Sequence, residues 1–292
     1  MKIGIDLGGS HIGIGVLDDN NNIIKKIEKD IEKSYYVKNK IMNYIDENVS
    51  KIIGNYKIDL IGIAIPGTTK NLVAENIFNL GIEKMDFSKI ASKYNIPLKI
   101  QNDSKAAGLA EKQCGSLINY KDAVFLCLGT GIGSAVFLNN ELLISNKNVG
   151  FELGHMIIDK NGLQCNCGKK GCFETYCSIK RFKENVSKIL NIREISPIEL
   201  VNKIIEEKDN PKIKEIIKVY IENLIIGLSN IIDIFEPEAI GIGGSFVFFK
   251  DIFYEELIEE MNIKKYVFNK NCIPKIVLAE LKNDAGIIGA VL

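Results

Sequence analysis

The chain has 292 residues, 46% of them hydrophobic and 25% charged, which is enough for about two domains and is typical of a chain with a sizeable core. Its 37 basic and 37 acidic residues give a net charge of +0, so the basic surface that nucleic-acid binding normally requires is not expected. Its apolar runs are too short for a membrane span, and Asp6 and three glycines interrupt the N-terminal run, so a cytoplasmic protein without a signal peptide is expected.

Strand and helix signals alternate through the first part of the chain. Lys2–Leu7 alternates apolar residues with small ones, and 12–17 resumes the run with β-branched residues after Gly8-Gly9, which predicts a β-hairpin. The run over 58–65 is continuously apolar and stops at Pro66-Gly67, as is typical of a buried strand that ends in a loop. The same reasoning predicts strands over 23–31 and 97–100, a helix within 37–53 and a helix over 103–114.

The opening pattern repeats from residue 122. Strands over 123–128 and 133–138 flank Gly129-Thr130-Gly131, helical periodicity covers 174–190 and 212–234, and a strand over 239–242 ends at Gly243-Gly244. This alternation predicts an α/β chain with two related halves. We place the domains at 1–115 and 116–292, with a last helix that could pack back on the first domain.

Three glycine-rich turns follow predicted strands, and glycine lets backbone amides approach phosphate oxygens closely. Asp6 precedes the first turn, which we call phosphate loop 1 and which comprises Gly8, Gly9 and Ser10. Phosphate loop 2 comprises Gly129, Thr130 and Gly131, and the third turn is Gly243-Gly244-Ser245. The first turn alone is equally typical of an ordinary hairpin with a solvated aspartate. Three such turns in one chain favour nucleotide binding.

Other nucleotide-binding signatures are missing from the sequence. Neither the Walker pattern GxxxxGK[ST] nor the protein-kinase motifs occur, so P-loop and protein-kinase chemistry are disfavoured. The glycines at 4, 8 and 9 do not have the GxGxxG spacing, which argues against a dinucleotide-binding Rossmann unit.

Seven cysteines, three of them crowded between 165 and 172, indicate metal ligands rather than a disulfide framework. His155, Cys165, Cys167 and Cys172 form a Cys₃His set that could close a tetrahedral, structural Zn²⁺ site. The alternative is a metal-free loop with buried thiols. The remaining cysteines, at 114, 127, 177 and 272, are expected to be small core residues.

Seven motifs together resemble the ROK family of sugar kinases and regulators, which is part of the actin-like ATPase and hexokinase superfamily. The motifs cover essentially the whole chain: DLGGS at 6–10, GIAIPG at 62–67, QNDSKAAGLAE at 101–111, LGTGIG at 128–133, ELGH at 152–155, CNCGKKGCFE at 165–174 and NDAGIIGAV at 283–291. The resemblance implies a two-domain actin-like, ribonuclease H-like α/β fold with a zinc loop. It also implies ATP and Mg²⁺ as cofactors, a small sugar as substrate and a homodimer.

The resemblance assigns roles to particular residues. Asp103 corresponds to the catalytic base, and Asp6 would orient Mg²⁺ and its waters. The two phosphate loops would hold phosphates, and Gly243-Gly244 would border the nucleoside. The corresponding sugar ligands are Gly67, Asn102, Glu152, His155 and Glu174, and the zinc ligands are His155, Cys165, Cys167 and Cys172. The sequence departs from the family's usual pattern at His11, Thr68, Thr69 and Ser134.

The residues themselves leave alternatives open. A carboxylate at a strand-to-helix junction such as Asp103 can accept a proton from an attacking hydroxyl, but it can also be a simple helix N-cap. Glu152 and Glu174 could be solvated surface acids. His155 has two ring nitrogens, so one could bind zinc while the other faces a sugar.

A hexose kinase is the function that these observations favour, with glucose converted to glucose 6-phosphate as the first choice and N-acetylmannosamine or fructose as alternatives. The alternative hypotheses of a non-enzymatic function are a sugar-responsive transcriptional regulator and a sugar sensor without turnover. The regulator would need an N-terminal DNA-binding module, whereas the first predicted strand already begins at Lys2. We therefore expect no nucleic-acid partner and no membrane partner.

Overall fold

The computed structural model describes residues 1–9, 11–31, 38–146, 150–193, 195–262, 267–268 and 272–292. The strands are β1 (Lys2–Leu7), β2 (His11–Leu17), β3 (Ile23–Asp30), β4 (Leu60–Ile65), β5 (Thr68–Lys70), β6 (Val73–Ile77), β7 (Ile82–Asp86), β8 (Leu98–Asn102), β9 (Ala123–Leu128), β10 (Ile132–Leu138), β11 (Glu141–Leu142), β12 (Ala239–Gly243) and β13 (Lys275–Leu278). The helices are α1 (Lys38–Ile53), α2 (Ser88–Tyr94), α3 (Asp103–Cys114), α4 (Phe173–Cys177), α5 (Ile179–Leu190), α6 (Pro197–Glu206), α7 (Pro211–Phe235), α8 (Lys250–Asn262) and α9 (Asp284–Ala290). The predicted α/β class is confirmed.

The chain divides into two compact units. The first consists of Met1–Ile118, Ile144–Gly150 and Leu281–Leu292, and the second consists of Asn119–Leu143 and Phe151–Glu280. Each unit is built on a five-stranded mixed sheet with its own buried apolar cluster. None of the helices in the described ranges is both long and apolar enough to cross a membrane.

The sheet of the first unit has the order β3-β2-β1-β4-β8. β1 and β2 form the predicted antiparallel hairpin, while β1, β4 and β8 run parallel to one another. The register pairs Asp6 with Ala64 and Ala64 with Gln101, so the carboxyl ends of the three parallel strands lie at one edge. That edge of a parallel sheet is where α/β proteins commonly bind ligands.

The last helix completes the first unit. α9 lies against β1 and β4, where a Cβ on Gly4 or Gly62 would collide with the backbone at Ile287 or Ala290. Glycine is required at these two strand positions because helix and sheet backbones approach so closely.

The second unit repeats the arrangement, with the sheet order β11-β10-β9-β12-β13. β9 and β10 form an antiparallel hairpin around phosphate loop 2, and β12 runs parallel to β9 and β13. An aromatic cluster lies in the helical layer, where the ring centroid of Phe253 is 4.4 Å from that of Tyr220 and 4.7 Å from that of Phe182. These rings are buried, so they anchor α5, α7 and α8 to one another.

Two sequence-based expectations about structure are wrong. The helix predicted over 174–190 is two helices, because Ser178 is extended (φ −66°, ψ 140°) and its hydroxyl accepts the Arg181 amide as the N-cap of α5. Serine commonly begins helices in this way. Cys114 was expected in the core, but it is exposed at the end of α3, whereas Cys177 is buried as expected.

Glu111 is a buried carboxylate that binds two distant segments of the first unit. Its Oε2 accepts the amide and the hydroxyl of Ser116, at 2.8 and 3.0 Å, and its Oε1 accepts the amide of Leu281 at 2.8 Å. The side chain is fully buried. Glu111 therefore holds the segment that leaves the first unit after Ile118 and the segment that returns to it at Leu281.

Glu111→Ala is expected to lower the free energy of unfolding by roughly 3 kcal/mol, because two backbone amides lose their acceptor in a buried site. Differential scanning calorimetry of this variant and of Glu47→Ala, an exposed position in α1, measures the effect. The control should stay within about 0.5 kcal/mol of the wild type. Equal losses in the two variants would show that Glu111 does not hold these segments.

Candidate functional site

Asn102 and Asp103 stand at the end of β8 and the start of α3. Asn102 is the helix cap, because its Oδ1 accepts the amides of Ser104 and Lys105 at 3.1 and 3.2 Å. Its Nδ2 donates to the carbonyl of Gly67 at 3.1 Å. The half-buried carboxylate of Asp103 lies in the first turn of the helix, where its Oδ1 accepts the Ser104 amide at 2.8 Å. The alternative interpretation of Asp103 as the N-cap is wrong.

Gly67 follows β4 and has a φ of 93°, a backbone conformation that favours glycine. A Cβ at this position would also collide with the carbonyl of Glu75. Thr68 and Thr69 then enter β5, where they pair with Glu75 and Ala74 of β6. The two threonines are therefore strand residues of a small sheet, β5-β6-β7, that was not predicted.

Asp6 lies at the carboxyl end of β1 beside His11 and α9. Its Oδ2 is 3.5 Å from His11 Nε2, and its side chain is only 13% exposed. A Cβ on Gly286 would collide with the Asp6 carboxyl group, so the first turn of α9 backs this side chain. The hydrogen bond with Asp6 raises the pKa of His11 above its usual value, although burial opposes the shift.

His11 also lies against phosphate loop 1. A Cβ on Gly8 would be 3.2 Å from His11 Cε1, and the Gly8 amide donates to the His11 carbonyl at 3.0 Å. Gly9 lies beside Asn79, whose Cβ would be 3.3 Å from a Cβ on that glycine. Ser10, the third residue assigned to this loop, is outside the described residues.

Phosphate loop 2 and the third glycine turn are neighbours in the second unit. Gly129 closes the loop by donating its amide to the Gly131 carbonyl at 2.9 Å. Gly244 has a φ of 70°, and a Cβ there would be 2.7 Å from the carbonyl oxygen of Leu128. The two turns lie side by side because β9 and β12 are parallel and paired. Gly243 must also lack a side chain, since a Cβ at this position would be 2.7 Å from the Phe125 ring.

Glu174 lies in α4 and contacts phosphate loop 2. Its Oε2 accepts the Ile132 amide at 2.8 Å, and a Cβ on Gly131 would collide with the same oxygen. The carboxylate is half-buried, so the alternative of a freely solvated surface acid does not describe it. This contact was not predicted from the sequence, in which Glu174 is assigned to the sugar alone.

Glu152 is exposed and precedes a 3₁₀ turn formed by Leu153–His155. The preceding residue, Phe151, has a φ of 62°, which is unusual for a residue with a side chain. Ser134 of β10 holds this turn by two hydrogen bonds. Its hydroxyl donates to the Phe151 carbonyl at 2.6 Å and accepts the Leu153 amide at 3.1 Å. The departure from the family pattern at Ser134 thus has a structural function, because it fixes the backbone on both sides of Glu152.

For the sugar kinase that the sequence predicts, Ser134→Ala is expected to raise the KM for sugar by roughly fivefold while the KM for ATP stays near the wild-type value, because the turn that carries Glu152 loses its brace. Steady-state kinetics with each substrate varied in turn measures the split. Ser134→Thr keeps the hydroxyl, so its sugar KM should be close to the wild-type value. Ser229→Ala, which removes another buried hydroxyl from α7, is the matched control and should change neither KM.

The four predicted zinc ligands converge. The donor atoms of His155, Cys165, Cys167 and Cys172 all lie within 4.8 Å of one another. Cys165 Sγ is 3.7 Å from His155 Nδ1, and Cys167 Sγ is 3.6 Å from Cys172 Sγ. Tetrahedral Zn²⁺ with Zn–S bonds of about 2.3 Å places two sulfurs about 3.8 Å apart, so both the geometry and the donor set fit zinc.

Tight turns present these ligands. Gly168 and Gly171 have φ values of 90° and 71°, and the Cys165 amide donates to the Lys169 carbonyl at 2.8 Å. Burial raises the pKa of Cys172 to about 12, so a metal ion that binds this thiolate must displace a proton at neutral pH. The Phe173 amide donates to the Met156 carbonyl at 2.8 Å, which ties the segment after His155 to the start of α4.

Comparison with known proteins identifies relatives that match almost the whole chain. A glucokinase of Thermotoga maritima is 28% identical over 321 residues, with 99% of this chain and 95% of the relative covered. A xylose repressor of Caldicellulosiruptor bescii is 27% identical over 314 residues, with 99% and 76% covered. The crystal structure of a ROK family glucokinase from Streptomyces griseus, in complex with glucose and AMPPNP, has a TM-score of 0.82 at 21% identity and covers 99% of this chain and 97% of that one. The ROK family model matches residues 2–292, and the chain therefore belongs to the ROK family.

Proposed function

We propose that this protein is an ATP-dependent sugar kinase that transfers the γ-phosphoryl group to a hydroxyl of a hexose, with the 6-hydroxyl of glucose as the first candidate. The observation that carries the proposal is the half-buried carboxylate of Asp103 at the carboxyl edge of parallel strands, oriented by the Ser104 amide. A sugar-binding protein without turnover has no need of such a base. The similarity to a glucokinase over 99% of the chain supports the same conclusion.

The proposed chemistry is proton removal together with positioning. Asp103 accepts the proton of the sugar hydroxyl while that oxygen forms a bond to the γ-phosphorus, and the bond from phosphorus to the ADP oxygen breaks. Asn102 orients the sugar beside the base, because its side chain is already fixed by the α3 amides and by Gly67. The loops at 129–131 and 243–244 receive the phosphates and the nucleoside. Glu152 and Glu174 accept hydrogen bonds from sugar hydroxyls, whereas His155, with one ring nitrogen on zinc, donates a hydrogen bond from the other.

The carboxylate oxygens of Asp6 are the hard ligands that Mg²⁺ prefers, either directly or through water, so Asp6 fits the role of holding this cation. When bound, Mg²⁺ would neutralise charge that develops on the phosphate oxygens. The zinc cluster would take no part in proton transfer and would serve to hold His155 and Glu174 in place.

A sugar-responsive regulator is the second candidate, and the observation that favours it is the 27% identity to a xylose repressor over 99% of this chain. A coupled assay of ADP release separates the two candidates. Glucose, N-acetylmannosamine, fructose and xylose are each tested with ATP and Mg²⁺, and sugar binding is measured in parallel by calorimetry. Sugar-dependent ADP release identifies a kinase and its substrate, whereas saturable sugar binding without ADP release would contradict the kinase proposal. The homodimer and the cytoplasmic location stay predictions, and sedimentation analysis checks the first.

A further inference from the structure

The segment that runs from the metal cluster into α5 holds phosphate loop 2 at both of its ends. Glu174 Oε2 accepts the Ile132 amide at 2.8 Å immediately after the loop, and the Lys180 amide donates to the Gly129 carbonyl at 3.1 Å at its start. Glu174 is two residues from the metal-ligand candidate Cys172, and Lys180 lies in the first turn of α5. Both contacts lie within the second unit.

We propose that Glu174 is a positioning residue for phosphate loop 2, so that the metal-braced segment prepares the nucleotide site as well as the sugar site. The inference deepens the proposed function and rests on it, because it assumes that this loop receives the phosphates of ATP. A loop whose conformation is fixed before binding loses less conformational entropy when the nucleotide arrives, and its affinity is correspondingly higher.

The positioning role can be distinguished from a direct effect of the Glu174 charge on the nucleotide, because the two change nucleotide affinity in opposite directions. A carboxylate near phosphate groups repels them, so Coulomb interaction alone would make removal of the charge strengthen nucleotide binding. The hydrogen bond to Ile132 has the opposite effect, because its loss frees the end of the loop. A hydrogen bond to a charged group is worth about a tenfold change in an equilibrium constant or more, so we expect the loss of the contact to dominate.

Gly131 also approaches the Glu174 carboxyl group closely. The three atoms nearest to a Cβ built on Gly131 all belong to the Glu174 carboxyl group, and the closest of them is the oxygen that accepts the Ile132 amide. Gly131→Ala should therefore push Glu174 away from the loop. When Glu174 is already alanine, the added methyl group no longer meets that carboxyl group.

The experiment measures the dissociation constant of AMPPNP with Mg²⁺, in the absence of sugar, for the wild type and four variants. Glu174→Ala and Gly131→Ala should each weaken AMPPNP binding roughly tenfold. The double variant should bind AMPPNP no more weakly than Glu174→Ala alone, because the two substitutions remove the same contact. Glu174→Gln keeps the size and an acceptor oxygen, so it should bind AMPPNP within about threefold of the wild type.

Glu206→Gln is the matched control, since Glu206 is an exposed acid at the end of α6 and belongs to neither proposed substrate site; it should leave the AMPPNP dissociation constant unchanged. Zinc content and circular dichroism confirm that each variant is folded. Additive losses in the double variant, or wild-type binding by Glu174→Ala, would overturn the positioning role while leaving the kinase proposal intact. A wild-type protein that fails to bind AMPPNP at all would overturn both.

Discussion

Asparagine in place of Asp103 is expected to lower kcat by roughly 10²-fold or more, while the fold and sugar binding persist. The amide has nearly the shape of the carboxylate and its oxygen can still accept the Ser104 amide, but it cannot take up the proton of an attacking hydroxyl. Turnover is measured with the sugar that the ADP-release panel identifies, and sugar affinity is measured separately by calorimetry. The expected pattern is a large fall in kcat with a sugar dissociation constant near that of the wild type.

Asp251→Asn is the matched control for this substitution. Asp251 also lies in the first turn of a helix, α8, so its replacement reproduces the loss of a negative charge near a helix N-terminus. This variant should retain the wild-type kcat. A kcat for Asp103→Asn that equals the wild-type value would eliminate Asp103 as the base.

The Cys167→Ser substitution is expected to lower the zinc content below one ion per chain and to lower Tm by about 5 °C or more. A serine hydroxyl is a poor zinc ligand, and the free energy of metal binding that organises residues 155–174 is then lost from folding. Sugar KM should rise although Cys167 touches no reacting atom, because His155 is itself a cluster residue and Glu174 follows Cys172 closely. Metal analysis, calorimetry and kinetics on one preparation measure all three effects.

Cys114→Ser provides the comparison, because Cys114 is an exposed thiol at the end of α3 and has no part in the cluster. It should leave zinc content, Tm and sugar KM unchanged. If wild-type protein contains no zinc as purified and is nonetheless fully active, the protein does not depend on zinc for its sugar site.

The elements that sequence patterns predicted well are those whose own residues determine them. β4 and β9 are continuous apolar runs that end at Pro66-Gly67 and at Gly129, and α3 begins directly after the cap residue Asn102. The Cys₃His cluster is equally local, since its four ligands lie within eighteen residues and two glycines with positive φ permit the turns between them.

The features that escaped prediction depend on long-range contacts. The small sheet β5-β6-β7 is short and carries many polar residues, so no periodic signal marks it. Glu111 has the sequence context of an ordinary helical surface acid, and no local pattern reveals its contact with Leu281, 170 residues later in the chain. The contact of Glu174 with Ile132 joins residues 42 positions apart, which no local pattern reveals.

The position of α9 also has a consequence for how the chain is made. A ribosome that has just synthesised Glu111 must add another 170 residues before Leu281 exists to bind it, and α9 comes later still. At roughly 5 to 20 residues per second, translation takes about 10 to 35 s to cover that interval. Throughout this time the apolar sheet face that carries Gly4 and Gly62 lacks its covering helix, while the second unit is already emerging. We therefore expect the nascent first unit to be the part of this protein that depends most on chaperones during synthesis.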